Sequence, residues 1–342
     1  VQRARGINEF SGLRFFLKKS SLLENIANLT SQDTLITTMV FKINTWSFLR
    51  QISKTKATWG TLYLGSLPTP PSESHFRSRL EKFIRRPSTA VNFLLQKMPQ
   101  KRLGFRTFDF ILKGGTAPLV GGPARFIGAN TKILDVPSFD YDRYLRSMNE
   151  KEEADHFKNV VFLDDGGPFH RDQFFFNVPF PCTQEEYFSN LNSFFRLVEK
   201  RFGYSVVVAS HPRVDYEKIG NPFEGRKIVQ GETPKWVKNS NFVLSFCSTA
   251  VSFAVIYKKP VVFLALNPNK RNAFDPLTQS LASKIGKTPI YWNGKGDIDW
   301  DRELSINEDY YDQYMDTYIK KRGSPEKLCG EILADHLISR GG

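Results

Sequence analysis

The sequence predicts an α/β chain built on two parallel sheets, and three observations predict it. Short apolar runs alternate with helix-forming stretches through residues 160–292. The links between them are short, as in parallel sheets covered by helices on both faces. The length of 342 residues, at about 150 residues per domain, makes two such units, and 40% hydrophobic residues supply two ordinary cores.

The second half sets out its elements in order. Val160, Val161, Phe162 and Leu163 read as a buried strand leading into the loop Asp164-Asp165-Gly166-Gly167. Thr183-Gln184-Glu185-Glu186 carries the capping-box pattern, in which the Thr hydroxyl and the Glu carboxylate each satisfy an end amide of a helix. Tyr187, Leu191, Phe194, Phe195 and Val198 recur on one face of that helix, and Gly203 ends it. Residues 205–209 form the next strand and deliver Ser210-His211-Pro212-Arg213 to its carboxyl end. A strand at 227–229 stops at Gly231-Glu232, and Thr233-Pro234 opens a helix, where the missing proline N–H has no partner to lose. A strand at 242–246, a helix at 248–257, a strand at 261–266, a helix at 274–285 and a strand at 289–292 complete the unit.

In the first half, strands read at 33–41, 60–64, 109–115 and 131–136, with helices around 46–53 and 75–99 and a loop at 68–71. The polar run 149–155 has no apolar period and reads as the hinge between domains. The expected organisation is a first Rossmann-like domain at 1–150, a second at 157–305, and at 306–342 two helical stretches parted by Gly323-Ser324-Pro325.

Forty-eight Lys and Arg against 35 Asp and Glu give a net charge of +13. The basic residues are densest before residue 130, among them Lys54, Lys56, Arg77, Arg85, Arg86, Lys101 and Arg106. No helix-turn-helix, zinc-finger or RNP-type motif accompanies them, so no nucleic acid is expected as partner. A basic first half suits an anionic acceptor, or an anionic membrane surface holding a lipid-linked one; a solvated lysine surface accounts for it equally well. The aromatic stretch with Phe10, Leu13, Phe15, Phe16 and Leu17 could touch a bilayer, but a buried helix explains it more simply. Cys182, Cys247 and Cys329 are odd in number and far apart, which fits a reducing compartment and neither a disulfide framework nor a zinc site. No window reaches the roughly 18 unbroken apolar residues of a membrane helix. The chain opens Val-Gln-Arg-Ala-Arg, without initiator Met or apolar leader, as a trimmed N-terminus would. The expectation is a cytoplasmic protein, at most peripheral to an inner membrane.

Open parallel sheets bind ligands beyond the carboxyl ends of their strands, and four such ends carry polar clusters. Asp164-Asp165-Gly166 offers a carboxylate that could act as general base on a hydroxyl, with glycine allowing close approach; a turn carboxylate is the competing explanation. His211-Pro212 places an imidazole that can donate to a departing phosphate, and Arg213 beside it suits an anion through its planar fork. Glu232 suits the ribose hydroxyls of a nucleotide, or serves as a negative charge at a helix start. Ser245, Ser248 and Thr249 stand where a strand becomes a helix, and the free N–H groups there make a phosphate site that ordinary capping would also explain.

The order Asp-Asp-Gly, His-Pro, Ser-Thr resembles the bacterial sialyltransferases of GT-B fold and their relatives among the Kdo and polysialic acid transferases, which share a D/E-D/E-G, an HP and an S-S/T motif. The likeness covers about residues 160–266; SFCSTAVSFAVIYKKPVVFL also looks like surface-carbohydrate transferases, and TKILDVPSFDYDRYL like the end of their N-terminal domain. The resemblance implies a glycosyltransferase with two Rossmann-like domains, their parallel sheets facing a central cleft, and a tail that crosses back onto the first domain. It implies a nucleotide-sugar donor of the CMP-sialic acid or CMP-Kdo type and a saccharide or lipid-linked saccharide acceptor; separately, no cofactor or metal is expected. Asp164 or Asp165 would be the catalytic carboxylate, the position directly after the strand favouring Asp164. His211 would ease phosphate departure, and Gly166, Pro212, Arg213, Glu232, Ser245, Ser248 and Thr249 would hold the donor. The loop Asp-Asp-Gly-Gly-Pro-Phe-His departs from the family pattern and leaves UDP or GDP donors open.

Metal-dependent transferases use Asp-x-Asp. Asp140-Tyr141-Asp142 and Asp297-Ile298-Asp299 match that string but lie outside the four clusters, and read as a helix start and a surface turn. Two other classes of protein compete: a nucleotide-sugar 2-epimerase on the same fold, and a non-catalytic anion-binding module.

Overall fold

The computed structural model describes residues 18–341 apart from 39–41, 66, 69–90, 92–94, 96–97, 99, 121–122, 149–157, 171–179, 267–273 and 295–296. The expected hinge at 149–155, the aromatic stretch 10–17 and nearly all of the expected helix at 75–99 lie outside the described residues.

The chain is α/β with two parallel sheets. In chain order the N-terminal elements are α1 (Lys19–Ala27), β1 (Thr34–Thr37), α2 (Trp46–Lys54), β2 (Thr58–Tyr63), β3 (Phe110–Gly114) and β4 (Lys132–Val136). Then come α3 (Phe139–Ser147), β5 (Asn159–Leu163), α4 (Gln184–Phe202), β6 (Ser205–Ala209), α5 (Tyr216–Ile219), β7 (Ile228–Val229), α6 (Thr233–Lys238) and β8 (Val243–Ser245). The last elements are α7 (Val251–Ile256), β9 (Val261–Ala265), α8 (Phe274–Ser283), β10 (Ile290–Tyr291), α9 (Trp300–Leu304), α10 (Glu308–Tyr314) with a π turn at Met315–Ile319, and α11 (Cys329–Gly341).

The chain forms two compact units. One is built on Ser138–Lys320, the other on Glu9–Ser66, Pro71–Pro137 and Lys321–Gly342. The boundary therefore falls ahead of the expected 150. Helix α3 belongs with the C-terminal unit because its Ser147 hydroxyl lies 3.1 Å from the Tyr257 hydroxyl and the Tyr144 ring packs edge-on against Tyr257. The tail also divides differently from the expected 306–342. Tyr311 donates its hydroxyl to the Lys259 carbonyl at 2.8 Å, and the Ser138 N–H donates to the Ile319 carbonyl at 2.8 Å, so residues up to 320 stay with the C-terminal unit. From Lys321 onward the tail joins the N-terminal unit.

In the N-terminal unit the four strands lie in the order β1-β2-β3-β4, all parallel. Alternate residues face opposite ways along a strand, and β3 uses this fully. Ile111 packs with Leu49, Ile52, Trp59 and Phe126 on one face, while Phe110 and Leu112 pack with Leu134, Val136 and Cys329 on the other. Gly60 in β2 is required by space, since a Cβ there would lie 2.3 Å from the Phe110 ring.

In the C-terminal unit the sheet order is β10-β9-β8-β5-β6-β7, all parallel. The chain runs outward from β5 through β6 to β7, then returns to lay β8 on the other side of β5. This is the doubly wound arrangement, and its direction reverses between β5 and β8. One core cluster gathers Val161, Leu163, Val243, Val261 and the helices α6, α7 and α10; the other gathers Val160, Phe162, Leu244, Val262 and α4. The capping box forms as expected: Thr183 Oγ1 accepts from the Glu186 N–H at 3.1 Å and the Thr183 N–H donates to Glu186 Oε2 at 3.0 Å. Gly203 ends α4 at φ +67°, a left-handed conformation that glycine takes without penalty. Helix α7 is shorter than expected, because 248–250 form a turn in which the Val251 N–H donates to the Ser248 carbonyl at 3.2 Å. Among the described residues no helix is long and apolar enough to cross a membrane.

Candidate functional site

The reversal between β5 and β8 opens a crevice at the carboxyl edge of the sheet, and the Asp-Asp-Gly loop after β5 stands on it. The two carboxylates have different surroundings. Asp164 is 4% exposed. Its Oδ1 accepts from the Gly166 N–H at 2.9 Å, and its Oδ2 accepts from the His211 N–H at 3.1 Å and the Tyr216 hydroxyl at 2.9 Å. It thereby ties the ends of β5 and β6 to α5. Burial, then the neighbouring Asp165, pushes its carboxyl up to about 6, against the three donors that lower it.

A buried carboxyl raised in this way makes stability depend on pH. Its contribution is fully present below the unfolded value of 3.8 and is lost as pH rises through about 6. Between pH 5 and 7.5 this amounts to about 1 kcal/mol against the wild type. The Asp164→Asn variant lacks this titration, so the wild type should gain stability relative to it on going from pH 7.5 to pH 5. Paired thermal melts at the two pH values measure the difference, and a constant gap would mean that Asp164 titrates normally.

Asp165 is half-buried. Its Oδ1 accepts from the Gly167 N–H at 3.1 Å, and its Oδ2 accepts from the Cys247 thiol at 3.3 Å. Cys247 follows β8, so this contact bridges the two strands where the winding reverses. Burial first, then the Asp165 charge, raises the thiol well above its ordinary value and keeps it a donor. The loop closes tightly. Gly166 and Gly167 take φ of +87° and +42°, and a Cβ on Gly167 would lie 2.9 Å from the Tyr187 ring. Of the two candidate carboxylates, Asp164 has its oxygens engaged inside the fold, while Asp165 is half-buried.

His211 stands one strand away, after β6. Its Nδ1 accepts from the Arg213 N–H at 3.2 Å, which leaves the ring proton on Nε2 as a donor. Gln230 Nε2 donates to the His211 and Val214 carbonyls at 3.4 Å each, holding the turn. Pro212 and Arg213 are exposed. A second imidazole, His170, packs edge-on against His211 with ring centroids 5.2 Å apart. Sequence reasoning did not find it; the turn Gly167–Phe169 brings it back to the same edge.

The remaining expected residues are spread along the edge. Ser248 Oγ accepts from the Ala250 N–H at 3.4 Å, and Thr249 is exposed; both precede the first turn of α7 instead of lying in it. Ser245 is wholly buried in β8, and its hydroxyl has no partner among the described residues, so it lies beneath the surface that a donor would touch. Glu232 is exposed after β7, and its Oε2 accepts from Trp236 Nε1 at 3.2 Å, a contact across one helical turn. Of the two Asp-x-Asp strings, Asp140-Tyr141-Asp142 opens α3 with Ser138 Oγ accepting from the Tyr141 N–H at 3.3 Å. In the other, Asp299 caps α9, accepting from the Arg302 N–H at 3.1 Å, and so is a helix cap where a surface turn was expected. Among the described residues no group of three or more His, Cys, Asp or Glu could hold a metal ion.

No family model and no curated protein matches the chain by sequence. Solved structures resemble it. A putative UDP-N-acetylglucosamine 2-epimerase from Listeria monocytogenes aligns with TM-score 0.48 at 12% identity, over 94% of this chain and 79% of that one. S. aureus MnaA, solved with UDP, aligns with TM-score 0.46 at 12% identity, over 94% and 78%. The wall teichoic acid polymerase TagF aligns with TM-score 0.42 at 10% identity, over 91% and 73%.

Proposed function

We propose that the chain is a glycosyltransferase that moves a sugar from a nucleotide-activated donor, of the CMP-sialic acid or CMP-Kdo type, to a saccharide or lipid-linked saccharide acceptor. The observation that carries this reading is the half-buried Asp165 carboxylate at the β5/β8 crevice, held by Gly167 and Cys247, with the Nε2–H of His211 one strand away. In this reading Asp165 takes the proton from the acceptor hydroxyl as its oxygen bonds to the anomeric carbon. The bond from that carbon to the phosphate oxygen breaks, and His211 donates a hydrogen bond to the departing phosphate, stabilising charge where it develops. Arg213 adds a guanidinium on the same side, Ser248 and Thr249 offer hydroxyls to the phosphate, and Glu232 is assigned to the ribose. Asp164 is a positioning residue for the loop. The basic first half suits an anionic acceptor or the anionic membrane surface that carries it.

A thermal-shift screen against CMP, UDP and GDP, each with and without EDTA, tests the donor class. Stabilisation by CMP alone, unchanged by EDTA, is the expected result. At ligand concentrations about 100 times Kd the gain is about 2.7 kcal/mol, well within reach of the method. Stabilisation by UDP or GDP instead would move the donor to another nucleotide, and no stabilisation by any of the three would sink the reading.

A further inference from the structure

Helix α11 covers one face of the N-terminal sheet, and its apolar stripe contains a histidine. His336 follows Leu333 by three residues and Ile332 by four, so the three side chains share one face of the helix. Its ring packs edge-on against Phe110 of β3, with centroids 5.7 Å apart. At 6% exposure it is the one buried histidine among the described residues. The ammonium of Lys132, at the start of β4, lies 3.4 Å from His336 Nδ1. An ammonium can only donate, so Nδ1 accepts. The ring proton is then on Nε2, and the imidazole in the docked helix is neutral.

The charged form does not fit this place. A proton on Nδ1 would point at the Lys132 ammonium and replace a hydrogen bond by a like-charge contact. Burial in an apolar layer disfavours the cation further. On this face β3 presents Phe110 and Leu112, and β4 presents Leu134 and Val136 beside Lys132. The carboxylates carried by α11 and β4 are engaged elsewhere. Glu331 accepts from the Leu328 N–H at 2.8 Å, Asp335 pairs with Lys327 at 2.8 Å, and Asp135 pairs with Lys321.

We propose that His336 makes α11 a pH-sensitive latch on the N-terminal sheet, closed while the ring is neutral and released when it is protonated. This stands apart from the glycosyltransferase reading. In the released helix the ring takes a proton near the ordinary value of about 6.5. Docking is therefore at full strength above that value and weakens as pH falls below it. Asp164 has the opposite sign in the C-terminal unit, which it stabilises as pH falls towards 5. Acid thus loosens the one unit through His336 and tightens the other through Asp164.

Amide hydrogen exchange of the full chain at pH 7.5 and pH 5 tests this, with protection expressed relative to the intrinsic exchange rate at each pH. Protection of the α11 amides should fall about tenfold at pH 5, the linkage of one pKa unit, while that of β5 and β6 does not fall. In His336→Gln, whose side chain stays neutral, α11 protection should be equal at the two pH values whatever its level, so a loss of packing does not mask the result. In Lys132→Met, where an exposed side chain loses its charge, the fall should shrink to about threefold. Equal α11 protection at both pH values in the wild type overturns the inference. So does a fall that persists unchanged in His336→Gln, or one that is unchanged in Lys132→Met, which would remove the like-charge contact as its cause.

Discussion

Replacing Asp165 by Asn is expected to lower turnover about 10³-fold, the scale on which a positioned general base contributes, while nucleotide affinity stays within about twofold, a change too small to register as a lost contact. The substitution is gentle to the fold. An amide oxygen still accepts from the Gly167 N–H, so the loop keeps its closing bond, while the bond from the Cys247 thiol and the capacity to take a proton disappear. Asp164→Asn is the contrasting variant. There the amide would replace an oxygen that accepts from both the His211 N–H and the Tyr216 hydroxyl, so loop geometry, melting temperature and turnover should all change together. Steady-state kinetics with nucleotide titrations on both variants separates the roles. An Asp165→Asn protein with normal turnover would place the base elsewhere.

Deleting residues 321–342 is expected to unfold the N-terminal unit. Helix α11 lies on the face of the first sheet formed by Phe110, Leu112, Leu134 and Val136, covering it with Cys329, Ile332, Leu333 and Leu337. Burying a large apolar side chain fully is worth about 1.5–3 kcal/mol; Ile332, Leu333 and Leu337 are half-buried, but deleting them also uncovers Phe110, Leu112, Leu134 and Val136 beneath, and together these losses reach the scale of about 5–15 kcal/mol that holds a whole domain together. Circular dichroism melts of the full chain and the shortened chain would show the loss as missing helix signal and a transition moved to much lower temperature. A milder variant, Leu333→Ala, should lower the midpoint by several degrees without abolishing the fold, at about 2–3 kcal/mol. If the shortened chain melts like the full one, the tail is dispensable and the core assigned to that face is wrong.

The elements whose signals are local were legible in the sequence. Strand β6 falls where the run Ser205 to Ala209 placed it, and α4 starts and stops on its capping box and Gly203. The N-terminal boundary was not legible. Residues 139–147 make an amphipathic helix that could lie on either unit, and what decides is Tyr257, 110 residues from Ser147. The site divides in the same way. That Asp164 or Asp165 and His211 share a sheet edge follows from strand order and the rule that ligands lie beyond strand ends. Which of two adjacent carboxylates turns inward does not, because it depends on Tyr216, 52 residues further on. Cys247 shows the limit most plainly. In sequence it was one of three scattered cysteines; its contact with Asp165 exists only because the chain returns to place β8 beside β5.

The discontinuity of the N-terminal unit also sets an order of events during translation. Domains generally complete themselves as they leave the ribosome, the earlier one first. Here Ser138–Lys320 has emerged in full before any of Lys321–Gly342, which the N-terminal unit includes. The later-coded half is therefore the first able to finish, while β1 to β4 wait with Phe110, Leu112 and Leu134 uncovered. At synthesis speeds of about 5–20 residues per second, the 183 residues in between hold that apolar face open for tens of seconds at the slower rate.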